Sequence, residues 1–207
     1  MKENPFDLFS DDYESWFKEN EIIFQSELRA LKQLIPIGKI GVEIGVGSGI
    51  FAEKLNIKFG IDPSDKMLHY ARQRNISVEL AYAENLPYPS NSFDFAVFIT
   101  SFCFIEHPEK ALSEACRIIK NEGDLIIAFI DKESALGKVL EMERKESKFY
   151  KQAKFYSVNE MTSMIEKSDF EITEIVQTLF DLNSNVPENP IKGHGKGSFV
   201  VIKGKKK

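Results

Sequence analysis

A glycine-rich turn between a short apolar strand and a helix constrains the fold of this chain more than any other feature. Residues 39–44 predict a buried strand, and glycines follow at alternate positions, Gly45, Gly47 and Gly49, before the helical stretch 50–55. Glycine permits a tight turn and lets a ligand approach the backbone closely. A Gly-x-Gly pair alone is weak evidence, but its place after the first strand of a βαβ unit is typical of nucleotide-binding turns.

The alternation of strand and helix continues to about residue 130. Four further apolar segments predict strands, namely residues 58–61, 78–82, 93–100 and 125–130. Apolar residues at helical spacing lie between them, over residues 64–74 and 108–120. Apolar strands that alternate with helices indicate a parallel sheet covered on both faces.

The C-terminal part departs from this rhythm. Ser157 and Glu160 form a capping-box pattern that opens a helix, and residues 171–178 and 198–203 predict two strands. The polar stretch between these strands lacks helical periodicity, which favours an antiparallel connection. We therefore predict an α/β fold: a Rossmann-like, doubly wound, mostly parallel seven-stranded sheet with an antiparallel C-terminal strand and helices on both faces.

Composition narrows the classes of function. The net charge of −5 argues against a general nucleic-acid binder, and residues 203–207, the one basic cluster, are predicted to be a solvated tail. No apolar run approaches the roughly 18 residues of a membrane span, and the N-terminal segment lacks a signal-peptide core. Cys103 and Cys116 are predicted to be buried free thiols, and the predicted location is cytoplasmic.

Two acidic residues indicate which nucleotide binds. Asp62 ends the second predicted strand, close to the roughly 20-residue spacing of a ribose-binding acid, although it could also merely cap the next helix. Glu43 precedes the turn, where a carboxylate would repel a pyrophosphate but suit an α-amino group. Ile50 stands where the dinucleotide fingerprint has its third glycine. These features favour S-adenosylmethionine, which has an ammonium and a sulfonium but no phosphate.

The motif Glu43-x-Gly45-x-Gly47-x-Gly49 resembles the first motif of class I S-adenosylmethionine-dependent methyltransferases, and Asp62 matches their ribose acid. Three later segments resemble the quinone-biosynthesis-type (methyltransferase type 11-like) branch of that family. They are the Tyr-Ala-Glu-Asn-Leu-Pro stretch, the Ser-Phe-Asp stretch and the Arg-Ile-Ile-Lys-x-x-Gly-x-Leu stretch, at residues 82–87, 92–94 and 117–125. The resemblance covers roughly residues 38–130.

This resemblance implies a set of cofactor contacts. The Ala83 backbone amide would contact the adenine and Leu86 would cover the ring, whereas Tyr82 departs from the polar residue frequent in the family. Thr100 and Ser101 would lie where the methionine moiety passes. The residues implied to bind S-adenosylmethionine, with S-adenosylhomocysteine as product, are Glu43, Gly45, Gly47, Gly49, Asp62, Pro63, Met67, Tyr82, Ala83, Glu84, Leu86, Thr100 and Ser101.

We predict a single methyltransferase domain over residues 1–207. It comprises an N-terminal helical cap, a cofactor-binding core, a helical insertion over the ligand edge, and a C-terminal helix with antiparallel strands. Their respective ranges are residues 1–37, 38–131, 132–156 and 157–207.

Aromatic side chains in the cap are candidates for acceptor recognition. Tyr13, Trp16 and Phe17 belong to an apolar pattern of helical spacing over residues 11–35, and Phe104 stands where relatives often have histidine. They would form an aromatic wall over the methyl group, or they would only dock the helix on the sheet. Further aromatic residues could line the opposite side, namely Phe149, Tyr150, Phe155 and Tyr156.

The predicted reaction is methyl transfer to a small-molecule acceptor by in-line displacement. The acceptor atom is left open among nitrogen, oxygen and carbon, and the acceptor between a small amine and an aromatic or quinone-like metabolite. No general base is assigned, because His69, His107 and His194 follow no catalytic pattern, and no metal site is predicted. The alternatives are a non-catalytic nucleotide-binding protein of the same fold and, less favoured, an NAD(P)-dependent enzyme.

Overall fold

A computed structural model describes residues 4–207. One eight-stranded sheet runs through it in the order β3-β2-β1-β4-β5-β8-β6-β7. The strands are β1 Gly41–Ile44, β2 Phe59–Asp62, β3 Ser77–Leu80, β4 Phe93–Ile99, β5 Ile119–Ile130, β6 Phe170–Thr178, β7 Ile191–Lys192 and β8 Phe199–Lys206. Strands β1 to β5 are parallel, and β8 is antiparallel to both of its neighbours, β5 and β6. The predicted Rossmann-like fold is confirmed, with one short edge strand, β7, beyond the seven expected.

Helices cover both faces of the sheet. They are α1 Pro5–Leu8, α2 Ser10–Glu19, α3 Glu21–Leu34, α4 Ile50–Leu55, α5 Asp65–Gln73, α6 Pro108–Ile118, α7 Ala135–Glu143 and α8 Val158–Lys167. Short 3₁₀ turns occur at Phe102–Phe104, Arg144–Glu146 and Tyr150–Gln152. The capping box that opens α8 is formed: Ser157 Oγ accepts the Glu160 N–H at 3.2 Å, and the Glu160 carboxylate accepts the Ser157 N–H at 2.8 Å.

Two apolar layers pack against the sheet. Along β5, Ile127 belongs to the layer of α6 and α8, while its neighbour Ile126 belongs to the layer of α3, α4 and α5. Both side chains are fully buried. A strand with two buried faces needs apolar residues at every position, which is why residues 125–130 of β5 do not alternate between apolar and polar.

The N-terminal apolar pattern forms two helices rather than one. Helix α2 ends at Asn20, whose side-chain amide and backbone N–H both donate to the Trp16 carbonyl at 2.9 Å. Asn20 has φ −117° and ψ 38°, outside the helical region. An asparagine side chain that bonds to the backbone competes with helical hydrogen bonds, so α3 starts in a new direction.

The basic cluster at residues 203–207 is not a solvated tail, and that prediction was wrong. Lys203 and Lys205 lie in β8, and their ammonium groups approach the carboxylate of Asp124 at 3.2 and 3.0 Å. Lys206 donates to the carbonyl oxygens of Cys116 and Ile119 at 2.7 Å. The buried carboxylate of Asp124 needs such partners, and an alternating run of lysines supplies them from one strand.

The topology sets where a ligand can bind. Strands β1 and β4 are neighbours although β2 and β3 separate them in sequence, so the order of the sheet reverses between them. In an open α/β sheet, this switch point at the carboxyl ends of the strands is the usual ligand crevice. Within residues 4–207, no helix is long and apolar enough to cross a membrane.

Candidate functional site

The glycine turn joins β1 to α4 with unusual backbone angles. Gly45, Gly47 and Gly49 have φ values of 77°, 51° and 78°, in the left-handed region that glycine adopts without strain. A Cβ on Gly45 would lie 2.4 Å from the Cβ of Ser101, so this glycine is also required by close packing against the end of β4. The turn therefore keeps its backbone free of side chains beside the switch point.

Asp62 ties the turn to the end of β2. Its two carboxylate oxygens accept the N–H groups of Gly47 and Ser64, each at 2.9 Å. Burial raises the pKa of Asp62 to about 6, against the lowering effect of these two hydrogen bonds. The Ser64 Oγ caps α5 by accepting the Met67 N–H at 3.1 Å, so the capping role is performed by Ser64 rather than by Asp62.

Glu43 is the most unusual group at this edge. Its side chain is 2% exposed, and its Oε2 is buried without a hydrogen-bond partner from residues 4–207. Burial and the nearby carboxylate of Asp62 raise the pKa of Glu43 well above its usual range. A buried carboxylate oxygen without a donor is costly, so the site is complete only with a ligand that brings one.

On the far side of β2, the segment after β3 forms a second wall of the crevice. Ala83 and Leu86 are buried, whereas Tyr82 is 68% exposed. The Leu86 N–H donates to Glu114 at 2.8 Å, and Glu84 accepts the His107 N–H at 3.1 Å. These hydrogen bonds tie Leu86, predicted to cover the adenine, to α6 and Glu84, the neighbour of Ala83, to the start of α6. Of the other residues predicted there, Met67 is buried beside Gly47 and Pro63 is exposed.

Thr100 and Ser101 lie directly after β4. Thr100 has φ 48°, a conformation uncommon for a β-branched residue, and its N–H donates to the Ala128 carbonyl at 2.8 Å. Ser101 Oγ donates to the Ile44 carbonyl at 2.7 Å and so joins β4 to the last residue of β1. A strained backbone held by hydrogen bonds is a feature that concentrates at functional sites.

Tyr13 of α2 lies over the glycine turn. Its hydroxyl is 3.6 Å from where a Cβ on Gly47 would stand. Burial raises the pKa of Tyr13 well above its usual range, and the carboxylate of Glu43 adds to that effect, followed by smaller contributions that include Tyr150 and Asp62. The Tyr13 hydroxyl is thus close to both acids of the crevice.

Aromatic rings from three segments meet above the crevice. Phe6 of α1 contacts Phe104 at 5.1 Å and Phe149 at 5.4 Å between ring centroids, and Phe149 also contacts Tyr13 at 6.2 Å. Tyr150 stacks on Phe104 at 5.8 Å with an interplanar angle of 11°. We call these five residues the aromatic cover. It joins the N-terminal cap to the 132–156 segment, and an ion pair of 2.7 Å between Lys148 and Asp12 links the same two segments.

The four predicted acceptor residues separate into two groups. Tyr13 and Phe104 belong to the aromatic cover. Phe17 is buried among Phe24 and Phe51, at 5.1 and 5.7 Å, where it docks the helices on the sheet. Trp16 is 40% exposed and packs on Phe17. The structure therefore brings the first pair, and not the second, to the crevice.

A small cavity lies beneath the cover. Its volume is about 20 Å³, room for about one water molecule. Its wall contains Thr100 after β4, Ile130 at the end of β5 and Tyr150 of the cover. The buried hydroxyl of Tyr156 also lines it and has no hydrogen-bond partner within the described part of the chain. Across residues 4–207, no group of three or more His, Cys, Asp or Glu side chains is arranged to hold a metal ion.

Three residues at this edge carry no sequence motif. Asp7 accepts a hydrogen bond from Ser64 Oγ at 2.5 Å, Phe6 enters the aromatic cover, and Glu27 of α3 is a buried carboxylate. The sequence offers one sign of this buried acid: Glu27 stands at a position of α3 where the helical spacing predicts an apolar residue.

The sequence and the fold of this chain match those of known methyltransferases. A family model for the methyltransferase domain matches residues 42–127. A crystal structure from Thermotoga maritima, of an S-adenosylmethionine-dependent methyltransferase named as a possible histamine N-methyltransferase, is 45% identical. The match covers 98% of this chain and 99% of that one, with a TM-score of 0.96. An uncharacterized protein of Methanocaldococcus jannaschii is 43% identical over 204 residues, 98% of this chain and 99% of that protein.

A third relative matches only in part. The ubiquinone/menaquinone biosynthesis C-methyltransferase of Campylobacter jejuni is 39% identical over 90 residues, 42% of this chain and 38% of that protein. Together with the fold, these matches show that the chain belongs to the class I S-adenosylmethionine-dependent methyltransferases. It is an enzyme of that class, and S-adenosylmethionine is its cofactor.

Proposed function

We propose that this enzyme transfers a methyl group from S-adenosylmethionine to a small-molecule acceptor held beneath the aromatic cover. The observation that carries the proposal is the buried, unpartnered Oε2 of Glu43 beside a glycine turn at the switch point of the sheet. A cationic α-amino group supplies the donor that this oxygen lacks, directly or through a water molecule. A pyrophosphate would instead bring negative charge against two buried acids, Glu43 and Asp62.

The other cofactor contacts follow from the same edge. Asp62 accepts the ribose hydroxyl hydrogens, and the backbone at Gly45 and Gly47 lets the ligand pass closely. Ala83 and Leu86 supply the apolar wall for the adenine. Seven further residues predicted to bind the cofactor border this path, namely Gly49, Pro63, Met67, Tyr82, Glu84, Thr100 and Ser101. Tyr13, predicted for the acceptor, reaches the path from the cap.

The protein contributes orientation rather than acid–base chemistry. The cofactor supplies the methyl group on a sulfonium, and an in-line displacement requires the acceptor atom to be aligned with it. The rings of the aromatic cover, Phe6, Phe104 and Phe149 among them, close the crevice from above and keep water away. His69, His107 and His194 are all exposed and are given no role.

The cavity beneath the cover, about 20 Å³, has to open before any acceptor enters, which favours a small molecule over a macromolecule. The Thermotoga relative, named for a small amine, matches nearly the whole chain, whereas the Campylobacter quinone C-methyltransferase matches a part that overlaps the cofactor-binding core. The longer match supports a small amine as the acceptor to test first. A cytoplasmic location and one methyltransferase domain over residues 1–207 belong to the same proposal.

Calorimetric titration tests the proposal. The wild-type protein is titrated with S-adenosylhomocysteine and, separately, with NADH. We expect binding of the first and none of the second. Glu43→Gln should weaken the binding of S-adenosylhomocysteine by about tenfold or more, since a charge-assisted hydrogen bond to the amino group is lost. Glu171→Gln makes the same change at an exposed position of β6 and serves as the control.

Activity completes the test. Radiolabelled S-adenosylmethionine is incubated with a panel of small amines, phenols and quinols, and transfer of label is measured. Turnover of at least one acceptor supports the proposal. Binding of NADH in preference to S-adenosylhomocysteine would overturn the cofactor assignment, and binding without transfer to any member of a broad panel would favour the non-catalytic alternative.

A further inference from the structure

Helix α3 carries a buried acid that the cofactor site does not use. Glu27 is 5% exposed and lies on the face of the helix that packs on the sheet, between the buried Phe24 and Leu31. No residue within 4–207 donates a hydrogen bond to it or pairs with it, and burial alone raises the pKa of Glu27 to about 8. An isolated buried carboxyl group is destabilising for a fold, so its presence calls for a physical reason.

The other end of the sheet shows how this fold treats a buried structural acid. Asp124 is buried to a similar degree and has the ammonium groups of Lys203 and Lys205 within 3.2 Å. Glu27 has no such partner. Asp124 is paired within the folded protein, whereas the Glu27 carboxylate is free to pair with a cation that a ligand brings.

Glu27 lies at the ligand edge of the sheet. The neighbouring residue Ser26 accepts the Glu188 N–H at 2.9 Å. Glu188 in turn accepts the Phe180 N–H, directly after β6 ends, at 2.7 Å. At the other end of α3, Gln33 contacts Glu174 in the middle of β6. The helix therefore brings Glu27 to the level of the carboxyl ends of the strands.

Two tyrosines of the aromatic cover respond to the acids on either side of it. Burial raises the pKa of Tyr150 above its usual range, and both the Cys103 thiol and the Glu27 carboxylate add to this effect. Tyr150 likewise adds to the raised pKa of Tyr13, which faces Glu43. Glu27 and Glu43 thus each act electrostatically on a tyrosine of the aromatic cover, Glu27 on Tyr150 and Glu43 on Tyr13.

We propose that Glu27 is the acceptor-binding residue and that it holds a cationic amino group of a small amine. This inference rests on the proposed function and names the class of its acceptor. A buried carboxylate that acts on Tyr150, whose ring stacks on Phe104, provides the combination of negative charge and aromatic faces that attracts a desolvated ammonium. A neutral quinone-like acceptor would leave Glu27 without a partner.

The bound amine also changes the ionisation of Glu27. The carboxyl group is mostly protonated at neutral pH in the free enzyme, because its pKa is about 8. An ammonium beside it favours the carboxylate, so the carboxyl proton leaves to solvent when the amine binds. The titratable group on which Glu27 acts is Tyr150, together with the Cys103 thiol, whose pKa burial raises to about 12; both stay neutral in this range.

The test uses the full chain saturated with S-adenosylhomocysteine. The ligands are phenethylamine, tyramine, tryptamine and histamine, and the neutral controls are 2-phenylethanol, tyrosol and tryptophol. We expect at least one amine to bind about tenfold or more tightly than its alcohol, and Glu27→Gln to remove that preference. Glu21→Gln makes the same change at an exposed position of the same helix and should behave as wild type.

Proton release is the second readout, and it requires no variant. Calorimetry in buffers of different ionisation enthalpy should show a net release of protons on amine binding at pH 7, because burial raises the pKa of Glu27 and keeps it protonated in the free enzyme. Alcohols should release none. Near-ultraviolet circular dichroism and the affinity for S-adenosylhomocysteine establish that Glu27→Gln is folded.

Three results would overturn the role of Glu27 alone. They are S-adenosylhomocysteine binding with no binding of any amine, amine binding without proton release, and unchanged amine affinity in a folded Glu27→Gln protein. Failure of the wild-type protein to bind S-adenosylhomocysteine would instead overturn the proposed function itself.

Discussion

The cofactor edge and the aromatic cover are held in place by different forces. At the cofactor edge, backbone groups fix the acids: Asp62 accepts two N–H groups and Ser101 joins β4 to β1. In the aromatic cover, rings pack against rings, and an exposed ion pair between Lys148 and Asp12 accompanies them. Exposed ion pairs contribute at most about 1 kcal/mol to stability.

This difference separates the two tasks of the enzyme. Backbone geometry changes little when side chains are substituted, so cofactor binding is robust to sequence change outside the glycines and acids. A site lined by side chains on a cap and a connecting segment can be altered residue by residue. Acceptor specificity can therefore diverge among relatives that keep the same cofactor.

Substitution of Gly47 should have the largest effect. In Gly47→Val a β-branched residue is forced to a φ of 51°, and its Cβ points toward Tyr13 and Met67 at the crevice. We expect affinity for S-adenosylhomocysteine to fall by about 1,000-fold, measured by calorimetry. Gly195→Val is the control, because Gly195 has a φ of 89° with open space around it. Near-normal affinity in a folded Gly47→Val protein would contradict the assignment.

Substitution of Asp62 should give the second-largest loss of cofactor affinity. Asp62→Ala is expected to weaken S-adenosylhomocysteine by roughly 1.5–3 kcal/mol, the scale of lost charge-assisted hydrogen bonds. A 2′,3′-dideoxy analogue should bind the variant and the wild type about equally, since it lacks the hydroxyl groups concerned. Asp65→Ala, at an exposed acid in the next helix, is the control. A variant that still discriminates against the analogue would show that Asp62 does not bind the ribose.

The same acid predicts a dependence on pH. The pKa of Asp62 is raised to about 6, so the free enzyme takes up a proton as the pH falls through 6. The carboxylate that accepts the ribose hydroxyls is then lost, and affinity should fall about tenfold between pH 7 and pH 5. Asp62→Ala should show a smaller fall over the same range. Affinity that is constant over this range would refute the prediction.

The aromatic cover should give the smallest effect on the cofactor. Phe149→Ala removes contacts to Phe6, Phe9 and Tyr13 without touching the acids of the crevice. We expect affinity for S-adenosylhomocysteine to stay within about twofold, while amide hydrogen exchange in α1 and α2 becomes faster. Phe180→Ala, at a half-exposed aromatic residue beyond β6, is the control. A parallel loss of cofactor affinity and stability would show the cover to be a structural brace.

The cofactor edge could be predicted from the sequence because its main features depend on short-range interactions. The glycine turn, Asp62 at the end of β2 and the capping box at Ser157 all depend on neighbours within a few residues, and all three are present. The switch point follows from the order of apolar strands and helices. These features need no knowledge of distant contacts.

Long-range contacts account for what the sequence did not indicate. Residues 203–207 are not a solvated tail because Lys203 and Lys205 pair with Asp124, about 80 residues away in the chain. A run of lysines in the sequence does not reveal such a distant partner. The burial of Glu27 also could not be read from the sequence. It depends on the direction that α3 takes after the break at Asn20. Phe17 and Tyr13 share one apolar stripe, and only the packed structure shows that one docks the helix and the other faces the crevice.

The position of β8 bears on how the molecule assembles during synthesis. Strand β8 follows β6 and β7 along the chain but lies between β5 and β6 in the sheet. While translation proceeds, β6 has no neighbour to join it to the parallel strands, and the buried carboxylate of Asp124 has neither lysine. A ribosome-bound chain that ends before residue 199 should therefore carry an open sheet edge, which is prone to aggregation and attractive to chaperones. Once β8 has been synthesised, it closes the sheet and brings Lys203 and Lys205 to Asp124.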